Sequence, residues 1–270
     1  MAILTISREI GSGGREIGYN ISRLLNYEYI DKEKIFSDIR ADGKKWEEWG
    51  KTLDEHRPSI WEKYDWSFQA WGALIQNHIL TYALKNNVVI MGRGGNFLLK
   101  GIPYALRIRV TAPIEMRIKR ITRRDSADEK TAEWLIEKTD KERAGFINAL
   151  YGKDLNDPSE YDMFFDASVK SIEEIIDIVK NTLLGRDKLA TEDAKKNLRM
   201  RAQAAKVKAG ILTDSSFSVP TLEVYPEGES IILRAVIHGA KEHKRIEEKA
   251  KELAGDIPIK CELHYRGESI

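Results

Sequence analysis

The stretch AILTISREIGSGGREIG, residues 2–18, decides how the rest of the chain is read. Residues 2–7 are apolar with β-branched content and stop at a glycine cluster, which is the pattern of a buried strand. Beyond the glycines, Ile17, Ile21, Leu24 and Leu25 stand at i, i+4, i+7 and i+8. That stripe predicts an amphipathic helix from near Gly14 to around Asn26. A strand running through a glycine turn into a helix N-terminus aims free backbone N–H groups at an anion.

The strict phosphate-loop pattern, G-x-x-x-x-G-K-[ST], fails here. With Gly13 as the second glycine, Arg8 stands at the first, Gly14 at the lysine and Arg15 at the hydroxyl. One residue on, Gly14 is the glycine, Arg15 takes the lysine position and Glu16 the hydroxyl position. The second register keeps a cation beside the phosphates, and a guanidinium can hold two oxygens at once. Glu16 then has two readings: an oxygen ligand for Mg²⁺ between it and the phosphates, or an acidic residue favoured at the positive end of its helix. A dinucleotide-binding start is the competing motif, with Asp31 about 20 residues after the first glycine where such folds place a ribose-binding carboxylate. G-x-G-x-x-G is not met, because Glu16 follows Gly11 and Gly13 in the third position.

Working outward, YEYID (27–31) predicts a second strand, and NNVVIMGRGGNFLL (86–99) repeats the strand-into-glycine-turn design. ALRIRVTAP (105–113) is a further strand, followed by a helix over 114–124 that carries Arg117, Lys119, Arg120, Arg123 and Arg124. These basic residues read as a solvated helix face, with phosphate contact as the alternative for Arg123 and Arg124. Residues 129–151 are helical, 157–168 a turn and short strand, and 171–185 a helix with Ser171 and Glu174 as its capping box. Strands alternating with helices imply a parallel sheet covered on both faces, with ligands at the carboxyl ends of the strands. Both glycine turns, 11–14 and 92–95, lie at such ends.

Between 32 and 87 the pattern is helical and rich in tryptophan: Trp46, Trp49, Trp61, Trp66 and Trp71. Aromatic residues at helical spacing read as packing anchors, with a base-stacking platform as the alternative. GRDKLATEDAKKN (185–197) has no apolar stripe and reads as a linker. After it come a helix at about 198–210, two strands, a helix over 241–255 and a last strand, an αββαβ unit with no catalytic constellation.

The whole chain of 270 residues is 42% hydrophobic, enough for a buried core. Its 44 Lys plus Arg nearly balance 43 Asp plus Glu, so no global field draws it to nucleic acid or membrane. Cys261 is its only cysteine, which excludes an internal disulfide and fits a reducing, cytoplasmic setting. No signal peptide or stretch of the ~20 apolar residues needed to span a bilayer is found. The five histidines are scattered without a nucleophile partner.

The opening turn with YEYIDKEKI, VVIMGRGGNFLL, RIRVTAPIEMRIKRI and EKTDKERAGFINALYGKDLNDPSEYDM together resemble the cytidylate kinase-like proteins, a branch of the nucleoside monophosphate kinases. The resemblance covers residues 1–186 and implies a P-loop, three-layer α/β/α fold with a helical acceptor-binding insertion and a basic lid. Residues 198–270 resemble a BON domain, a small unit taken to bind a protein or other ligand.

The resemblance implies ATP with Mg²⁺ as phosphoryl donor and a pyrimidine nucleotide, CMP or dCMP, as acceptor. Gly11, Ser12, Gly13 and Gly14 fall on the ATP loop, with Arg15 and Glu16 after it. Arg93 matches the arginine that grips the acceptor phosphate, and Asp31 the aspartate ending the second strand. Lys138, Lys141 and Arg143 fall in the lid. Two departures stand out. IDKEKIFS (30–37) replaces L-D-[ST]-G-A-x-Y-R, leaving Ser37 where an acceptor-binding arginine is expected, and G-R-D becomes Gly92-Arg93-Gly94. They open the alternative of a weakly catalytic nucleotide-binding regulator that signals through its C-terminal unit.

Overall fold

The computed structural model describes residues 2–41, 43, 46, 58–59, 62, 65–219 and 221–265. The opening stretch folds as its pattern predicts. Strand β1 (Ile3–Arg8) passes through a glycine turn into α1 (Gly14–Leu25). Next come β2 (Glu28–Ile30), α2 (Lys32–Ala41), α3 (Trp66–Lys85), β3 (Val88–Met91), the single-turn α4 (Gly95–Leu98) and β4 (Ala105–Thr111). Then α5 (Ile114–Asp125), α6 (Glu129–Tyr151), β5 (Met163–Asp166) and α7 (Ile172–Arg186) complete the first unit.

Its five strands are ordered β2-β3-β1-β4-β5, and every neighbouring pair is parallel. β1 is central, so it is apolar on both faces, and its alternate side chains enter two separate cores. Leu4 and Ile6 pack with Ile17, Ile21, Ile175 and Val179 of α1 and α7. Ile3 packs on the opposite face with α3 and its neighbours, among them the fully buried Phe68 and Trp71. The fold is thus the expected three-layer α/β/α arrangement.

The C-terminal unit consists of α8 (Glu192–Leu212), β6 (Glu223–Glu227), β7 (Ser230–Ile237), α9 (Ala240–Ala254) and β8 (Ile259–Tyr265). Its sheet is ordered β6-β7-β8, with the first pair antiparallel and the second parallel. The αββαβ order is the one read from sequence, but the stretch 185–197, read as a linker, is mostly helical. α7 runs to Arg186, a 3₁₀ turn spans Asp187–Leu189, and α8 begins at Glu192. The Thr191 hydroxyl accepts from the Ala194 N–H and caps α8, and Ala194 and Leu198 point into the core. Leu198, Val207 and Ile211 of α8 share one core with Trp71, Ile75 and Ile79 of α3.

Of the tryptophans between 32 and 87, those that are described serve as packing anchors, whereas Trp134 on α6 is exposed. Trp71 is fully buried, Trp46 is buried, and the Trp66 indole N–H donates to Leu212 O at 2.6 Å. Trp49 and Trp61 lie outside the described residues, as does His56.

Candidate active site

The turn after β1 is built for close backbone approach. Gly11 and Gly13 hold φ of +78° and +93°, and Gly13 caps α1 with no side chain over the first helical turn. Gly14 lets the helix start against β1, since a Cβ there would lie 2.6 Å from Arg8 Cβ. Ser12 is fully buried and its hydroxyl donates to Glu9 O at 2.9 Å, tying the loop to its own base.

α5 and α6 support this turn from outside. Arg117 is only 6% exposed, donates to Asp140 Oδ2 at 2.6 and 2.7 Å, and pairs with Glu9 at 3.2 Å. Asp140 also accepts from the Ile10 N–H at 3.1 Å, so α6 is stitched directly to the loop. Arg120 donates to Gly11 O at 3.3 Å. The reading of these arginines as a solvated face is therefore corrected for Arg117 and Arg120, because α6 and the loop cover one side of α5. Arg123 and Arg124 are exposed and line a basic cleft with Met116, Lys119 and Arg120. Arg124 is paired with Asp125.

The second glycine turn faces the first across the strand ends. Gly92, Arg93 and Gly94 hold φ of +73°, +55° and +79° in succession. For Arg93 this left-handed conformation costs about 1 kcal/mol or more, the kind of strain stored at functional sites. Gly94 is forced by packing: the Tyr151 ring occupies the space of a Cβ, and the Tyr151 hydroxyl donates to Arg93 O at 2.7 Å. Burial pushes the Tyr151 phenol well above its ordinary range, so it stays a donor. The Arg93 guanidinium, 5% exposed as a residue, lies 4.9 Å from the Phe36 ring centre and 5.5 Å from that of Phe146.

A pocket opens between these parts, lined by Ser7 and Arg8 of β1, Arg93 and Asn96 beside the second turn, and Arg143 and Phe146 of α6. Three arginines line this pocket at the carboxyl ends of a parallel sheet, and guanidinium groups are the chemistry that suits a multiply charged anion.

Of the residues singled out from sequence, Arg93 and Arg143 line this pocket, and Gly11 to Gly14 form the loop beside it. Arg15 is exposed on the first turn of α1, with its guanidinium beside the Tyr29 phenol. Glu16 is exposed on the same turn. Asp31 caps α2, its carboxylate accepting from the Lys34 N–H at 3.1 Å. Lys141 is exposed, and Lys138 lies 4.9 Å from the Trp134 ring centre. Asp140 and Arg143 share an inward face at i, i+3, and Lys138 and Lys141, also three apart, lie on another. Sequence reasoning passed over Arg8, Asn96, Asp140 and Phe146. Asp140 could have been found, since it stands three residues before Arg143.

A glycine loop on the central strand of a 2-3-1-4-5 parallel sheet, with an arginine-lined pocket beside it, is the α/β arrangement the resemblance implies. The chain belongs to the cytidylate kinase-like family, whose match covers residues 3–169. It is 29% identical over 180 residues to a cytidylate kinase of Pyrococcus abyssi, spanning 66% of this chain and 91% of the relative. A cytidylate kinase of Methanocaldococcus jannaschii is 28% identical over 185 residues, 67% of this chain and 97% of that protein. A crystal structure of an uncharacterised protein from Eubacterium ventriosum has a TM-score of 0.53 at 22% identity, covering 68% of this chain and 98% of that one, and shares the fold. No described helix is long and apolar enough to cross a membrane.

Proposed function

We propose that this protein transfers the γ-phosphoryl group of ATP to a nucleoside monophosphate, with CMP or dCMP as acceptor. The observation that carries the reading is the convergence of Arg8, Arg93 and Arg143 on one pocket beside the glycine loop. Phosphoryl transfer asks little covalent chemistry of a protein. Positioning and neutralisation of charge set its rate.

In this reading the N–H groups of Gly11 to Gly14 and the N-terminus of α1 hold the donor phosphates. Arg15 replaces the missing lysine, swinging from its place beside Tyr29. Arg93 anchors the acceptor phosphate, and Asp31 borders the acceptor side from the cap of α2. Arg143 neutralises the group in transfer, and Lys141 joins when α6 closes. Among the described residues no three His, Cys, Asp or Glu side chains gather as a metal cage. Mg²⁺ would arrive on the donor phosphates, with Glu16 as its protein ligand. When bound, the ion would neutralise the donor oxygens.

The test is ADP release and product mass from the purified protein with ATP, Mg²⁺ and a panel of monophosphates. Turnover of a pyrimidine monophosphate is expected. A second reading, a nucleotide-sensing regulator, draws support from the missing lysine and from the core that α8 of the BON-like unit shares with α3. It expects saturable ATP binding without turnover.

A further inference from the structure

Strand β4 carries two buried arginines on the same face. Arg107 is 8% exposed and fully matched: it bonds both carboxylate oxygens of Asp162, at 2.9 and 3.3 Å, and the Glu160 carbonyl. Arg109 lies one rung nearer the carboxyl ends of the strands and is 3% exposed. Among the described residues it meets only neutral oxygens, Ser7 Oγ at 2.9 Å and Asn156 Oδ1 at 2.6 Å, with the Tyr161 phenol alongside. Its Nε is buried with no acceptor. A guanidinium out of water without an anion is costly, and a bound anion relieves that cost.

The anion's place is marked by what Arg109 touches. Ser7 is 4% exposed and lines the arginine pocket. Because Ser7 Oγ accepts from Arg109, its own proton is left to give, and two acceptors compete for it: the neighbouring Tyr161 oxygen and whatever occupies the pocket. The Tyr161 hydroxyl itself donates to Leu155 O at 2.7 Å. A second wall of the pocket makes the same demand independently. Asn96 is 2% exposed, lines the pocket, and its Nδ2 has no acceptor. A buried amide donor without a partner is rare enough to need a reason.

We infer that Asn96 Nδ2 and the Ser7 hydroxyl donate directly to the phosphate oxygens of a phosphate monoester held in this pocket, and that Arg109 is the positioning residue that fixes Ser7 from behind. The inference rests on the reading of the pocket as the acceptor-phosphate site. It adds two neutral donors to the guanidiniums. Arginines alone would hold any anion, whereas fixed neutral donors select for a tetrahedral oxyanion seated at one height above the strand ends.

The test uses the full chain and three probes in calorimetric titration: CMP, inorganic phosphate and cytidine, with the ATP Michaelis constant measured in parallel. A hydrogen bond to a charged group corresponds to roughly a tenfold to hundredfold change in affinity. Asn96→Ala and Ser7→Ala are each expected to weaken CMP and phosphate by that factor and to leave cytidine and ATP unchanged. Asn96→Asp, nearly isosteric, should weaken CMP more than Asn96→Ala. Arg109→Gln should match Ser7→Ala, the double variant should be no worse than Arg109→Gln alone, and Arg109→Lys should recover part of the loss.

CMP and phosphate affinities within twofold of wild type in variants with unchanged melting would overturn the inference, as would a wild-type protein that binds neither probe. Turnover of CMP with unaffected variants removes the subsite but keeps the kinase reading. Binding of phosphate lost in the variants, without turnover of any monophosphate by the wild type, removes the kinase reading but keeps the subsite.

Discussion

Arg117 and Glu160 are buried charges, each held by oppositely charged partners. Removing Asp140 leaves Arg117 buried with Glu9 alone and frees the Ile10 N–H. Asp140→Ala should therefore cost about 1–3 kcal/mol in chemical denaturation and raise the ATP Michaelis constant; unchanged values of both would contradict the role given to this carboxylate. Glu160 is 3% exposed, and the Lys100 and Lys153 ammoniums, 2.9 and 3.1 Å away, hold its carboxyl below the usual carboxylate range. A depressed folded-state pKa gives stability that is present above the unfolded value of about 4.3 and is lost as pH falls through the folded one. The melting difference between wild type and Glu160→Gln should thus be widest near neutral pH and narrow below about pH 4. Gly14 and Gly18 make a paired case. A Cβ at Gly14 meets the Arg8 Cβ at 2.6 Å, whereas at Gly18 it meets the flexible Met91 Sδ at 2.6 Å. Gly14→Ala should cost about 1–3 kcal/mol and Gly18→Ala clearly less, measured by thermal melting. The glycines of the loop were legible from sequence because their spacing is local. Asp140 closes on Ile10 across 130 residues, and no local pattern records that bond. Arg107 and Arg109 look alike in the string RIR, and only the fold gives one a carboxylate and the other a serine.

Elements were more legible than residues, since periodicity is a property of a whole helix or strand. The β1–loop–α1 unit, the capped α7 and the αββαβ order of the C-terminal unit follow from stripes and caps that are complete within a few residues of each other. The start of α8 leaves no mark in the sequence, for a physical reason. Its first turns bury little beyond Ala194 and Leu198, so they carry too few apolar residues to mark a stripe, and the helix depends on its Thr191 cap and on α3. α3 is the element on which both units converge. Trp71 packs edge-on to Phe146, with ring centres 5.7 Å apart, and Phe146 in turn faces Arg93. Trp71→Ala should cost about 3–5 kcal/mol by cavity formation and also weaken acceptor binding through Phe146 and Arg93. A melting loss with an unchanged acceptor Michaelis constant would show that the aromatic contact is structural alone.

At the scale of the whole molecule, the balanced charge of +1 leaves recognition to the local cluster of guanidiniums, not to a long-range field. The family match ends at residue 169, yet α8 fills the outer side of the core under α3. A chain ending at residue 190 would expose that apolar face. It should melt at lower temperature than the full chain or aggregate, as seen by calorimetry and light scattering. Phosphorylation of a nucleoside monophosphate gripped by Arg93 is the proposed activity. Its most direct test is steady-state kinetics of the full chain and of Arg93→Ala with ATP, Mg²⁺ and varied CMP, dCMP and other monophosphates. ADP formation with a pyrimidine monophosphate is expected. Arg93→Ala should raise the acceptor Michaelis constant at least about tenfold while that for ATP stays put. Saturable ATP binding with no turnover of any monophosphate, or Arg93→Ala kinetics equal to wild type, would contradict it.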